Sequence, residues 1–216
     1  MARADGLLLT NRHLAVPWRY DTSAQQVMAH GLRPSMRRLR AYLPGVPNFF
    51  PVRTLQISEA ADLAALLATG LAHRASPLTL RLRPPTAGEE VIVLGYPAGI
   101  RAMLARTDAR FVDGLMQTGQ IGFWEMAEQL ARSGQIGPLA SRGIVAQVSS
   151  AAVVYDAETT QGGSGGPVLG LDGEVIAVTS AVVTEFGGSN LAVPATAGRM
   201  LLAQNAMRRL LDLGWR

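Results

Sequence analysis

The stretch Thr159-Thr160-Gln161-Gly162-Gly163-Ser164-Gly165-Gly166-Pro167, running into Val168-Leu169, sets one serine among four glycines just ahead of a strand-like run. Glycine lets the backbone take positive φ or approach a ligand closely. A serine on such a turn can present its hydroxyl beside exposed backbone N–H groups. Together these supply a nucleophile and donors for an oxyanion. The same residues also fit a flexible Gly/Ser turn between strands. The remainder of the chain decides between the two.

Composition narrows the classes. The chain has 216 residues, 48% of them hydrophobic and only 17% charged, which gives one large globular domain or two small packed ones. Its 23 glycines and 12 prolines are spread throughout, as the many turns of an all-β fold require. The formal charge is +4 and every basic residue is arginine. The densest basic run, residues 33–40, alternates with apolar residues and reads as the solvated face of a strand, so no nucleic-acid partner is expected. With no cysteine, disulfides, thiolate catalysis and cysteine-bound metals are excluded. No metal or cofactor is called for. Arginines and glycines interrupt every apolar run before it reaches the length of a membrane span. Residues 1–6 lack the basic start and uncharged core of a signal peptide.

Outward from the serine turn, strands are expected at residues 7–10, 37–43, 52–57, 78–82, 91–94, 144–148, 152–155, 167–169, 175–183 and 190–194. Asp172-Gly173 turns a hairpin, and residues 186–189 form a loop. Residues 17–50 otherwise read as loops. Ser58, Glu59 and Asp62 fit either a helix start or a loop that delivers Asp62 to the edge of the next strand. Pro84-Pro85-Thr86-Ala87-Gly88 is the clearest linker, dividing the chain into a unit at 1–85 and a unit at 86–195. Residues 106–138 read as a helical insertion, with Phe123, Trp124, Met126, Ala127 and Leu130 at helical spacing. That apolar face serves either packing or a lid over a site. A terminal amphipathic helix within 196–216 carries Met200, Leu201, Ala203, Met207, Leu210 and Leu211 and ends at Gly214.

Chain order discriminates among hydrolase readings. The turn formally matches the G-x-S-x-G elbow of α/β-hydrolases, which need their acid and histidine after the serine. All three histidines here (His13, His30 and His73) precede it. A phosphate-binding loop fails because no lysine exists to reach the phosphates. The order present is His13, Asp62, Ser164, which is that of the chymotrypsin class.

The local sequences resemble that class as well. Leu9-Thr10-Asn11-Arg12-His13-Leu14-Ala15 resembles the histidine motif of bacterial trypsin-like peptidases. Ala61-Asp62-Leu63-Ala64-Ala65-Leu66 resembles their aspartate motif, and Gly162 to Val168 their serine motif. Val93-Leu94-Gly95-Tyr96-Pro97 and the ending Asn190-Leu191-Ala192-Val193-Pro194 are similar to the HtrA-type branch, here without a PDZ domain. The resemblance implies an all-β, chymotrypsin-like double β-barrel acting as a serine endopeptidase on polypeptides. Ser164 is then the nucleophile, His13 the general base and Asp62 its orienting acid, with Gly162, Gly163 and Ser164 forming the oxyanion hole.

It also implies that Glu158 and Thr159 lie near the base of the specificity pocket. Thr179, Ser180 and Ala181 fall on the strand that pairs with substrate. A buried Glu158 would favour a basic side chain; a solvent-facing one would not. Members of the family usually place two strands before the histidine, whereas only twelve residues precede His13. The first barrel is therefore expected to lack its N-terminal strands, through an internal start, a missing upstream segment or completion by a partner. A homo-oligomer fits the last of these. A non-catalytic peptide-binding or scaffolding module is the alternative function. The branch usually acts outside the cytoplasm, which implies a periplasmic or secreted protein.

Overall fold

Leu7 and the run Ala64–Ala68 explain the first half of the chain, because both are apolar enough to be covered on more than one side. The computed structural model describes residues 4–117, 121–159, 162–183 and 189–212. Strand β1 (Leu7–Thr10) leads into the single-turn helix α1 (Arg12–Ala15). A 3-10 turn at Pro17–Arg19 and helix α2 (Thr22–Ala29) follow. Then come β2 (Arg40–Ala41), β3 (Phe50–Ile57) and β4 (Ala64–Ala68). The strands form one antiparallel sheet in the order β1-β4-β3-β2. Central β4 is buried at Ala64, Ala65, Leu66 and Ala68, which explains why it reads as a continuous apolar run rather than an alternating one.

Several expectations differ from this half. Residues 58–63 form the loop, not a helix. Ser58 Oγ accepts from the Ala61 N–H at 3.1 Å, and the Ser58 N–H donates to the Leu63 carbonyl at 2.9 Å. That tight turn sets Asp62 at the head of β4. Helix α2 lies where only loops and strands were expected. Asp21 caps it by accepting from the Ala24 N–H at 2.8 Å, and none of its residues is buried. Of the strand expected at 37–43, only Arg40 and Ala41 pair, against Pro51 and Phe50. Residues 78–82 form no strand; Leu80 makes a single parallel bridge to Val175.

The second half opens with β5 (Glu90–Gly95). Helices α3 (Gly99–Ala105), α4 (Ala109–Gln117) and α5 (Phe123–Arg132) follow, so the helical insertion begins before residue 106. Then come β6 (Leu139–Val148), β7 (Val153–Tyr155), β8 (Pro167–Gly170), β9 (Val175–Val183) and β10 (Ser189–Pro194). These six strands close a barrel in the order β10-β7-β6-β5-β8-β9. Its interior is filled by Val91, Val145, Val153, Tyr155, Val168 and Ile176, all under 2% exposed. Most of the loop expected at 186–189, and the stop at Gly214, lie outside the described residues.

Helix α6 (Ala195–Asp212) locks the halves together. Leu201 packs with Leu7 and Leu63 of the first half and with Val178 and Val193 of the barrel. No helix among the described residues is long and apolar enough to cross a membrane. The architecture is a chymotrypsin-like pair of β units: a closed six-stranded barrel and an open four-stranded sheet, with helices added.

Candidate active site

His13 sits on α1, the turn that follows β1 directly, so a buried strand aims it. Asn11, fully buried at the start of that turn, donates from Nδ2 to the Asp62 main-chain carbonyl at 3.0 Å. His13 closes on the same residue: its backbone N–H donates to Asp62 Oδ1 at 3.0 Å, and its Nδ1 lies 2.7 Å from Oδ2. An aspartate in that position accepts the Nδ1 proton, which leaves Nε2 unprotonated and able to act as a base. The two side chains remain partly accessible, at 26% for His13 and 22% for Asp62.

A second element reaches Asp62. The Ser180 hydroxyl donates to Asp62 Oδ2 at 2.6 Å. Ser180 is the extra residue of a bulge in β9, because Ala181 faces Leu191 and Thr179 faces the next residue, Ala192. A bulge re-aims a side chain, and here it turns one hydroxyl from the barrel toward the first sheet. Burial raises the Asp62 carboxyl's pKa. The Ser180 hydroxyl, the His13 N–H and the imidazole together outweigh it, leaving the group below the ordinary carboxylate value.

Ser164 lies on the turn before β8, which the backbone ties to β9. The Gly165 N–H donates to the Thr179 carbonyl and the Thr179 N–H to the Gly166 carbonyl, both at 2.9 Å. The Ser164 hydroxyl donates to the Ser180 carbonyl at 3.2 Å rather than to His13. Hydrogen bonds between a nucleophile and its base commonly tighten only with substrate. Gly162 has φ +99°, and a Cβ there would stand 2.6 Å from the Tyr96 carbonyl oxygen, so only glycine fits this turn. Among the described residues, neither the Gly162 nor the Ser164 N–H has an acceptor.

The remaining expected positions are spread more widely. Thr179 is buried; its hydroxyl meets Tyr155 Oη at 3.0 Å and its backbone serves the serine turn, so neither group faces a substrate. Ala181 is exposed on β9. Glu158 is exposed rather than buried and lines, with Thr159 and Gly95, a cleft of about 320 Å³; a Cβ on Gly95 would stand 3.4 Å from Gly163 of the serine turn. Residues 160–161, directly after Thr159, and 184–188, directly after β9, are outside the described residues. Sequence reading overlooked Asn11 and the hydroxyl of Ser180 as supports of Asp62. It also overlooked Tyr20, whose ring stands edge-on to His13 at 6.0 Å and whose hydroxyl accepts from Arg12 Nε at 2.6 Å. Asn11 lay inside the histidine motif, but Tyr20 carried no signal.

Comparison with known proteins bears on the family and the fold. A family described as trypsin-like peptidase domain matches residues 2–178. The chain superposes on the inactive form of the Rv3671c protease of M. tuberculosis with a TM-score of 0.62 at 16% identity, over 96% of this chain and 80% of that one. The active form of that protease gives 0.61 at 16%, over 94% and 70%. A serine endoprotease of Yersinia pestis gives 0.61 at 16%, over 95% of this chain and 55% of that one. No curated protein matches the chain by sequence.

Proposed function

The chain belongs to the trypsin-like peptidase family and is a serine-type endopeptidase, and from that premise we propose that Ser164, His13 and Asp62 carry its chemistry. One observation supports the assignment above others. The Asp62 carboxylate is held at once by the His13 N–H, the His13 imidazole and the Ser180 hydroxyl, while the Ser180 carbonyl takes the Ser164 hydroxyl.

In this reading the Ser164 oxygen attacks the scissile carbonyl carbon as His13 Nε2 takes its proton. The oxyanion forms against the N–H groups of Gly162 and Ser164, in a turn to which Gly163 contributes. His13 then hands the proton to the departing amine, leaving an acyl ester on Ser164. Water, deprotonated by His13, cleaves that ester by the same route in reverse. Asp62 fixes the imidazole tautomer and offsets its positive charge.

A fluorophosphonate probe tests this. Labelling confined to Ser164 and lost in Ser164→Ala is the expected result; a folded chain that takes up no probe overturns the assignment. The direction of the Ser164 hydroxyl, toward the Ser180 carbonyl, favours a second reading as a non-catalytic peptide-binding module, and the same experiment decides it. Glu158 and Thr159 are assigned to substrate contacts before the scissile bond, and Ser180 and Ala181 to pairing with its backbone. Among the described residues no strand covers the outer edges of β1 and β2, which favours a homo-oligomer. A monomer mass by light scattering overturns that part.

A further inference from the structure

The helical insertion does more than pack on itself. Between α3, α5 and the first sheet lies an apolar cavity of about 410 Å³, enough for an aromatic side chain. Tyr96, Phe123 and Trp124 line it from the insertion's side, Ala127 and Leu130 form part of its wall, and Tyr42 faces them from the segment after β2. Its position bears on the serine turn. Tyr96 and Gly99 both line it, and both crowd Gly162: a Cβ there would stand 2.6 Å from the Tyr96 carbonyl oxygen and 3.2 Å from the Gly99 nitrogen. The cavity therefore adjoins the oxyanion turn at its Gly162 end. Strand β9, where Ser180 meets Ser164, lies at the other end.

That placement separates the two sides of a bound peptide. If the acyl part runs along β9, the leaving-group part departs past Gly162 toward the cavity. Among the described residues lining the cavity the one cation is already taken: Arg40 pairs with Glu128 at 2.7 Å and lies over the rings of Phe49 (3.9 Å) and Trp124 (4.9 Å). Nothing there recruits an acidic residue, and burial of apolar surface is what the walls reward.

Resting on the catalytic assignment above, we propose that this cavity is a specificity site for a large apolar or aromatic residue within the two positions after the scissile bond. Digestion of a peptide library by the intact protein tests it. The expected profile shows Phe, Trp or Leu after the cut, with kcat/KM at least about tenfold above matched peptides carrying Gly there. In Phe123→Ala, an exposed position that tolerates truncation, and in Ala127→Trp, which fills the cavity, that ratio falls toward one. A ratio near one in the wild type, or one that persists in both variants, overturns the proposal. Ser164→Ala keeps the test independent of catalysis. Exposed to a randomised peptide pool, it retains peptides bearing large apolar residues, and the Ala127→Trp double variant loses that enrichment. A protein that takes no fluorophosphonate yet shows this enrichment sinks the catalytic assignment alone. No enrichment, with labelling intact, sinks the cavity.

Discussion

Ser180 touches both sides of the candidate site, its hydroxyl on Asp62 and its carbonyl on Ser164. Removing the hydroxyl in Ser180→Ala leaves burial, which raises the Asp62 pKa, opposed only by His13. The Asp62 pKa is therefore expected to rise, measured by carboxyl-carbon NMR titration. The sign for stability follows from linkage. A carboxyl depressed below its unfolded value of about 4 stabilises the fold above that pH. That contribution disappears as pH falls through the lower folded value. In Ser180→Ala the acid-side loss of melting temperature below about pH 4 should be shallower, and an unchanged profile would count against this account. Loss of one charge-assisted hydrogen bond also predicts a fall in kcat/KM of about ten- to a hundredfold. The sequence placed Ser180 on a substrate-pairing strand and missed its hydroxyl. Which way that side chain points depends on a one-residue bulge, and no local sequence word announces a bulge.

Turns and linkers show the same limit and yield two predictions. In Gly162→Ala the new methyl meets the Tyr96 carbonyl at a φ unfavourable to alanine. The turn must shift, and a displaced oxyanion donor costs on the order of 10²–10³ in kcat. Melting temperature should fall modestly, because the strain is confined to a turn that contributes no core side chain; a kcat within about threefold of wild type would contradict the assignment. The second concerns the segment before β5. Arg81 pairs with Glu89 and, at 2.8 Å, with Asp172, while its backbone N–H joins the Val175 carbonyl. Arg81→Ala leaves Glu89 partly buried without its cation, keeping the Thr86 N–H at 3.1 Å. Chemical denaturation should register a loss of roughly 2 kcal/mol, against nearly none if the pair is merely a surface contact. Strands such as β1 and β5 were legible because each is a short apolar run marked by turn residues, Asp5-Gly6 before β1 and Gly95-Tyr96-Pro97 after β5. Helix α2 was not, because the surrounding prolines and glycines masked an eight-residue stretch that has a good aspartate cap and no buried face. The strand expected at 37–43 shrank to two residues, which pair with Pro51 and Phe50 where β3 begins, and Pro51 has no N–H to give the ladder.

At the scale of the molecule the two β units differ in how their strands are secured. Every strand of the barrel from β5 to β10 has two neighbours, whereas β1 and β2 have one each among the described residues. Chain order and spaced motifs made the double-β architecture legible. The first unit is an open four-stranded sheet. Invisible was what secures such a sheet, because that comes from distant contacts: Leu201 of α6 against Leu7, and Glu128 of α5 against Arg40. These supports are unequal, which orders the local stabilities. Strand β2 has two residues, one ladder and no fully buried side chain, so its amides should exchange first. Strand β1 also has one ladder, but Leu7 is fully buried beneath α6, so opening it exposes core and its exchange should be slower. Strand β4, paired on both sides, and the barrel strands around Val91 and Val168 should exchange last. Amide exchange at neutral pH resolves this order. Equal protection of Arg40 and Val91 would mean that something covers the β2 edge in solution, and lowered protein concentration then tells whether a second copy does so. The candidate base stands one turn beyond β1, so the strand whose stability α6 supplies also holds His13 against Asp62. Truncating Leu201 to alanine is accordingly expected to cost about 2–5 kcal/mol and to lower kcat more than it raises KM, a split that core loss remote from the site would not produce.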